Sequence, residues 1–178
     1  MKKYLIIVLL PCILVAFLTA CAPKINSSAK PNDADNLTTH AVYESFNLYF
    51  PNVNESKLVK ETHELRISNN VSNEKLILDT LKMGATNDEL ISPISESAVV
   101  HSIKTVSGLC TVDLSNNFLN TQTGNTAEAN LMLHAIVQSL CELETIQEVK
   151  INIDGNTTAK INDSIDLSQP LIPDPVRI

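Results

Sequence analysis

The sequence predicts an α+β fold: a single small domain with a mixed sheet of about five strands and two helices packed on one face. Three observations predict it. Apolar and polar residues alternate along five stretches, the period of a half-buried strand. Only two stretches repeat at the helical period. The order is β-β-α-β-β-α-β, and two helices cannot cover both faces of a parallel sheet, which places both on one side.

The first strand covers residues 42–50, with Phe46, Leu48 and Phe50 on the apolar face and Ser45 and Asn47 opposite; Pro51-Asn52 is expected to stop it. The second covers 58–67, with Val59, Leu65 and Ile67 on one side, although Glu61 and His63 fall on that side at its middle. After a turn at 69–72, Ser72 or Asn73 caps a helix that runs to about Met83 and stops at Gly84. Leu76, Ile77, Thr80 and Leu81 form its expected buried stripe. Ile91-Ser92-Pro93 reads as a loop. Residues 99–105 and 109–114 make a hairpin about Ser107-Gly108, with Cys110, Val112 and Leu114 on one face.

Gly124-Asn125 opens the second helix, where Asn125 is the cap and Glu128, three residues on, completes a capping-box pattern. At 100° per residue, Ala129, Met132, Leu133, Ile136, Leu140 and Leu143 fall within about 60° of Ile136, a core-facing stripe. His134, Gln138, Cys141 and Glu142 lie on the far side. Val149, Ile151 and Ile153 alternate with Lys150, Asn152 and Asp154 in the last strong strand, closed by Gly155-Asn156. Residues 160–167 add a short strand or extension, and 169–175 hold three of the eight prolines and read as irregular. No internal repeat is detected.

Ahead of the domain, Lys2 and Lys3 precede an apolar run over residues 4–17 and then small residues. A positive head, a short apolar middle and small residues before a cut site are the parts of a secretory signal peptide. The run is shorter than the ~20 residues of a spanning helix. Leu18-Thr19-Ala20-Cys21 resembles the lipobox of bacterial lipoproteins. That resemblance implies a diacylglycerol on the Cys21 thiol, cleavage that leaves Cys21 as the N-terminus, and labelling by palmitate; the alternative is an ordinary signal peptide with a chance cysteine. Each buried methylene contributes about 0.8 kcal/mol, so two or three acyl chains give stable attachment. The chain then divides into a lipoprotein signal peptide (1–20), a flexible tether (21–41), the domain (42–168) and an irregular Pro-rich tail (169–178). The tether, rich in Ser, Asn, Asp, Thr and Pro, cannot bury enough surface to order itself, and as a random coil it reaches on the order of 25 Å. The expected location is the cell membrane, lipid-anchored, on the extracytoplasmic face.

The chain has 13 Lys and Arg against 20 Asp and Glu; removing Lys2 and Lys3 with the signal leaves 11 against 20, a net charge of −9. Such a chain has no electrostatic case for nucleic acid and is repelled weakly by anionic lipid, so the acyl group on Cys21 must hold it at the membrane. There is no Trp and aromatic content is 4%, which argues against a sugar-stacking platform or an aromatic cage.

No cofactor, metal or catalytic residue is expected. His40, His63, His101 and His134 have no ligand partner at i+3 or i+4, and no Cys-x-x-Cys occurs. His134 reads as solvated, and His63 and His101 as strand-surface residues. Cys12 leaves with the signal. Cys110 points toward the core, whereas Cys141 lies about 140° from the centre of its helix's apolar stripe, so the pair is placed on opposite sides of a layer. A disulfide needs Cα atoms within ~7 Å, so free thiols are the expectation and a bridge the alternative. Asp113 and Ser115, followed by two asparagines, read as turn-closing rather than catalytic. Four glycines supply no phosphate-cradling loop, there is no Gly-x-Ser-x-Gly elbow, and Asp88-Glu89 reads as solvated charge. Leu131, about 140° from Ile136, and Tyr43 and Tyr49, on the less apolar face of the first strand, are candidate exposed apolar groups; clustered, they would mark a contact surface.

Several phrases in this order resemble the GerMN domain of sporulation and spore-germination proteins. They are Asn47-Leu48-Tyr49-Phe50-Pro51, the strand from Leu58-Val59 to Arg66-Ile67, and residues 81–84 followed by Ile91-Ser92-Pro93. The heaviest is Ser107-Gly108-Leu109-Cys110-Thr111-Val112-Asp113-Leu114-Ser115, and the 131–140 helix and Ile153-Asp154-Gly155 follow in place. The match runs over roughly residues 46–167. The resemblance implies a small α+β domain similar to ring-building modules of secretion-type assemblies, carried by membrane-attached lipoproteins, without catalysis. Some family members carry two copies, and this chain has room for one. The reading is therefore a lipid-anchored cell-envelope interaction module, in sporulation or germination, with protein partners in the envelope. The alternative is an extracytoplasmic ligand-binding lipoprotein, although a domain of about 130 residues has no inter-domain cleft; an envelope hydrolase lacks its nucleophile and base.

Overall fold

A computed structural model describes residues 41–54, 56–121 and 125–178. The expected signal peptide, the expected tether up to residue 40, Cys21, His40 and Gly124 lie outside the described residues. The order is β1 (Val42–Asn52), β2 (Lys57–Ile67), α1 (Asn73–Met83), β3 (Val100–Val106), β4 (Leu109–Leu114), α2 (Thr126–Leu140), β5 (Glu148–Ile153), β6 (Lys160–Ile161) and β7 (Ile165–Asp166), with a 3-10 turn at Pro175–Arg177.

The fold is α+β, but its strands do not join into one five-stranded sheet. β1 and β2 form an antiparallel hairpin, β3-β4-β5 a three-stranded mixed sheet, and β6-β7 a third small pair. β4 runs antiparallel to β3 and parallel to β5, with α2 as the crossover a parallel pair requires. The reason for the split lies at the edges. The Tyr49 N–H, which points away from β2, donates to Ser139 Oγ on α2 at 2.8 Å, and that hydroxyl donates to the Ala135 carbonyl at 2.8 Å. The Ile91 N–H reaches the Pro51 carbonyl at 2.9 Å. A helix and a loop therefore occupy the edge where a third strand would pair.

Pro51 does not end β1. The strand continues to Asn52, with Pro51 opposite Leu58, because a missing N–H costs a sheet little at an edge. The hairpin's core side holds Phe46, Leu48 and Phe50.

α1 keeps its expected ends: Ser72 Oγ accepts from the Lys75 N–H, and Gly84 at φ 103° closes the helix by donating to the Thr80 carbonyl. Its buried residues are Ile77, Leu78, Thr80 and Leu81, so Leu78 replaces the half-buried Leu76 in the stripe. The β3-β4 turn puts Ser107 and Gly108 at φ 51° and 89°, both positive as a two-residue hairpin turn demands.

α2 is the centre of the molecule. Asn125 Oδ1 accepts from the Glu128 N–H at 2.7 Å. The helix touches β1, β2, β5 and α1. Its buried residues include Ile136 and Leu140 on the expected stripe, Leu131 on the side read as outer, and also Ala135 and Ser139, which the stripe did not include. The helix is thus wrapped nearly all round rather than laid on one face of a sheet. Leu131, 4% exposed, packs with Tyr49, Leu58 and Ala135 in a second apolar cluster, and Tyr49 is 5% exposed. Of the three residues expected outside, only Tyr43 is exposed.

Past β5, residues 156–171 strap the body. Leu167 is fully buried, and Leu171 exchanges both backbone hydrogen bonds with Val149, each at 2.8 Å.

Candidate functional site

Asp113 and Ser115 close loops. Asp113 Oδ1 accepts from the Gly155 N–H at 2.9 Å, fixing the turn after β5. Ser115 Oγ accepts from the Val99 N–H at 2.9 Å and donates to Asn117 Oδ1 at 2.6 Å, tying the end of β4 to the start of β3. His101 faces Asp154 at 3.0 Å in the open. Among the described residues no group of three or more His, Cys, Asp or Glu is placed to hold a metal ion.

His63 is not on the surface. It lies on the core side of the hairpin, its ring centroid 5.6 Å from that of Phe50, with Nε2 3.0 Å from Glu61 Oε2. Glu61 also accepts from the backbone N–H groups of Thr86 and Asn87 at 2.9 and 3.0 Å. Burial opposes its charge, yet these hydrogen bonds from Thr86, Asn87 and His63 outweigh burial and hold its pKa below the usual glutamate range. The two polar residues that interrupt the strand pattern therefore form a latch between β2 and the loop after α1. His134 is half-buried rather than solvated.

On the other face of the hairpin, Tyr49 Oη donates to Glu142 Oε1 at 2.7 Å and Asn47 Nδ2 to Glu142 Oε2 at 2.9 Å. Burial first, and then the Glu142 carboxylate, push the Tyr49 hydroxyl up to about 12. Lys150 Nζ donates to the Thr157 carbonyl at 2.5 Å and to the Leu167 carbonyl, pinning the strap to β5.

Cys110 and Cys141 are free thiols, but not on opposite sides of a layer. Cys110 belongs to the main apolar cluster and Cys141 packs against it. Burial raises the Cys141 pKa to about 11, and the neighbouring Cys110 adds to the rise. A stripe angle could not place Cys141, because it is the C-cap of a helix buried nearly all round.

Open grooves mark the surface of the described residues. One of about 560 Å³ runs between the 116–121 loop and the strap, with Asn116, Asn117, Asn156 and Lys160 on its rim and Phe118 below. Another of about 710 Å³ lies by the C-terminus of α1, near Met83 and Glu96. A third, of about 420 Å³, separates the first turns of α1 from β3, and a fourth, of about 560 Å³, lies at the open end of the hairpin by Val42 and Arg66. These are open recesses rather than enclosed chambers.

Comparison with known proteins gives a consistent likeness. The model of the family Germane, described as sporulation and spore germination, matches residues 47–159. The tandem GerMN domains of the sporulation protein GerM from Bacillus subtilis superpose with a TM-score of 0.56 at 18% identity, over 82% of this chain and 50% of that one. The first GerMN domain of the same protein gives 0.55 at 18% identity, over 75% of this chain and 96% of that one. A candidate lipoprotein from Clostridium perfringens gives 0.51 at 15% identity, over 73% and 87%. This chain thus spans half the length of the tandem structure, and at these identities the likeness is one of fold. No curated protein matches the chain.

Proposed function

The chain belongs to the Germane family of sporulation and spore germination, and from that premise we propose a lipid-anchored interaction module of the cell envelope. Its body is a single GerMN-type domain that works by docking to protein partners and carries out no catalysis. The observation that supports this most is the family match itself, which runs from β1 to the strap and so takes in every large element. Leu18-Thr19-Ala20-Cys21 supplies the anchor: cleavage before Cys21 and acylation of its thiol hold the domain at the extracytoplasmic face of the membrane through a tether of about 20 residues.

Deleting the gene in its spore-forming host is expected to impair spore formation or germination while leaving vegetative growth unchanged. Restoration requires the anchored protein. Normal spores that germinate at the normal rate would contradict the reading.

A ligand-binding lipoprotein is the second reading, favoured by the asparagine-rimmed groove of about 560 Å³. Against it, the Asn117 carboxamide already engages Ser97 and Ser115, and the Asn156 carbonyl oxygen engages Thr158, so part of that rim holds its own loops.

A further inference from the structure

Among the described residues, the edges of the longer strands are guarded unevenly. The outer edge of β1 is covered at Tyr49 and Pro51 by Ser139 and Ile91, and that of β5 at Val149 by Leu171, which sits between Pro170 and Pro173. β2 carries Lys57, Lys60, Glu64 and Arg66, the dense mixed charge that discourages strand addition. β3 is the free edge of the three-stranded sheet. Among the described residues its backbone hydrogen bonds go to β4, and none reaches its outward side.

β3 is also chemically distinct. It reads Val-His-Ser-Ile-Lys-Thr-Val, without a carboxylate, in a chain of net charge −7. Val99 and Val106 at its ends are 52% and 55% exposed. A groove of about 420 Å³ runs along it, walled by residues 100–103 on one side and by Asn70, Val71, Ser72, Lys75 and Asp79 on the other. The only carboxylate in that wall is paired, Lys75 Nζ lying 2.5 Å from Asp79 Oδ1. The hairpin-end groove, which shares Asn70, adds Arg66. An edge strand facing a helix across a groove is the arrangement that accepts an added strand: backbone hydrogen bonds hold it, and alternate side chains enter the groove.

We propose that β3 accepts an extended strand from a partner protein, one whose side chains alternate between aliphatic and acidic. The aliphatic groups meet Val71, Val100 and Ile103, and the acidic ones meet Lys104 and Arg66. A second copy of this chain is the wrong occupant through β3 itself, because such a strand offers Lys104 no carboxylate, and each His101 already faces Asp154 of its own copy. A bulge between Val100 and Ser102 sets the regular ladder at Ser102–Val106. The inference rests on the docking function proposed above.

The probe is a capped heptapeptide of alternating Val and Asp, with a Val–Lys counterpart and a Val–Asp version N-methylated at alternate residues. The Val–Asp peptide is expected to protect β3 amides of the full chain from hydrogen exchange. The Val–Lys and N-methylated peptides should not, and Lys104→Glu should weaken the acidic peptide about fivefold. Protection by all three peptides, protection elsewhere or no protection overturns the proposal, as does concentration-dependent β3 protection without peptide, which would mean self-pairing. A photo-crosslinker at Ser102 and another at Ile172 separate the two levels in cells. Capture of an envelope protein at Ile172 alone overturns the β3 site and leaves docking standing, whereas capture at neither position overturns both.

Discussion

Ser139 shows how one hydroxyl decides the architecture. It is fully buried, and it accepts from the Tyr49 N–H while donating to the Ala135 carbonyl. Removing it leaves a buried backbone donor without an acceptor, which costs more than a hydrogen bond normally contributes. Ser139→Ala is expected to lower stability by about 1–3 kcal/mol in urea unfolding. A loss within error would mean that water or a shifted strand replaces the hydroxyl. Glu61 makes a parallel case with a pH signature. Its folded pKa is lowered, so the latch contributes stability above the unfolded glutamate value and loses it as pH falls through the folded one. Glu61→Gln should therefore destabilise the protein by about 1–3 kcal/mol at pH 7 and by much less near pH 3. Equal effects at both pH values would show that the carboxylate charge does not hold Thr86 and Asn87. Neither residue was legible as structural in the sequence. Ser139 was assigned no role, and Glu61 and His63 looked like interruptions of a strand.

At the scale of elements, the helix ends and the hairpin were legible because each depends on local chemistry: Ser72 and Asn125 as caps, Gly84 as a stop, Ser107-Gly108 as a turn. The partition into sheets was not, because it depends on which element reaches an edge first, and α2 reaches the edge of β1. Helical periodicity found the stripe of α2 that meets the main core but missed the second side that meets Tyr49 and Leu58. A helix wrapped this way tolerates little. Ile136→Asp places an unpaired charge at a fully buried position and should unfold the domain, a loss of more than about 4 kcal/mol. His134→Ala, on the same helix but half-buried, should cost far less in a melting experiment. Equal losses would mean that the helix is rotated from the position described.

At the scale of the whole molecule, the chain is acidic, and among the described residues β3 is a free sheet edge that carries Lys104 and no carboxylate of its own. Composition and charge indicated from the outset that surface electrostatics could not attach such a body to a membrane. The groove along β3 was not legible, since it is built by α1 and β3, which are separated in the chain by a long irregular loop. In the proposed reading, docking at a membrane-tethered position would raise the effective concentration of the domain for partners in the same layer, and that advantage would depend on the Cys21 thiol. Labelling cells with radioactive palmitate and fractionating them, with the intact chain and Cys21→Ser side by side, therefore tests the anchored-module claim most directly. The expected result is a labelled, membrane-associated wild type and an unlabelled variant that is uncleaved or soluble; undiminished labelling of Cys21→Ser, or an unlabelled wild type free in the medium, would contradict it.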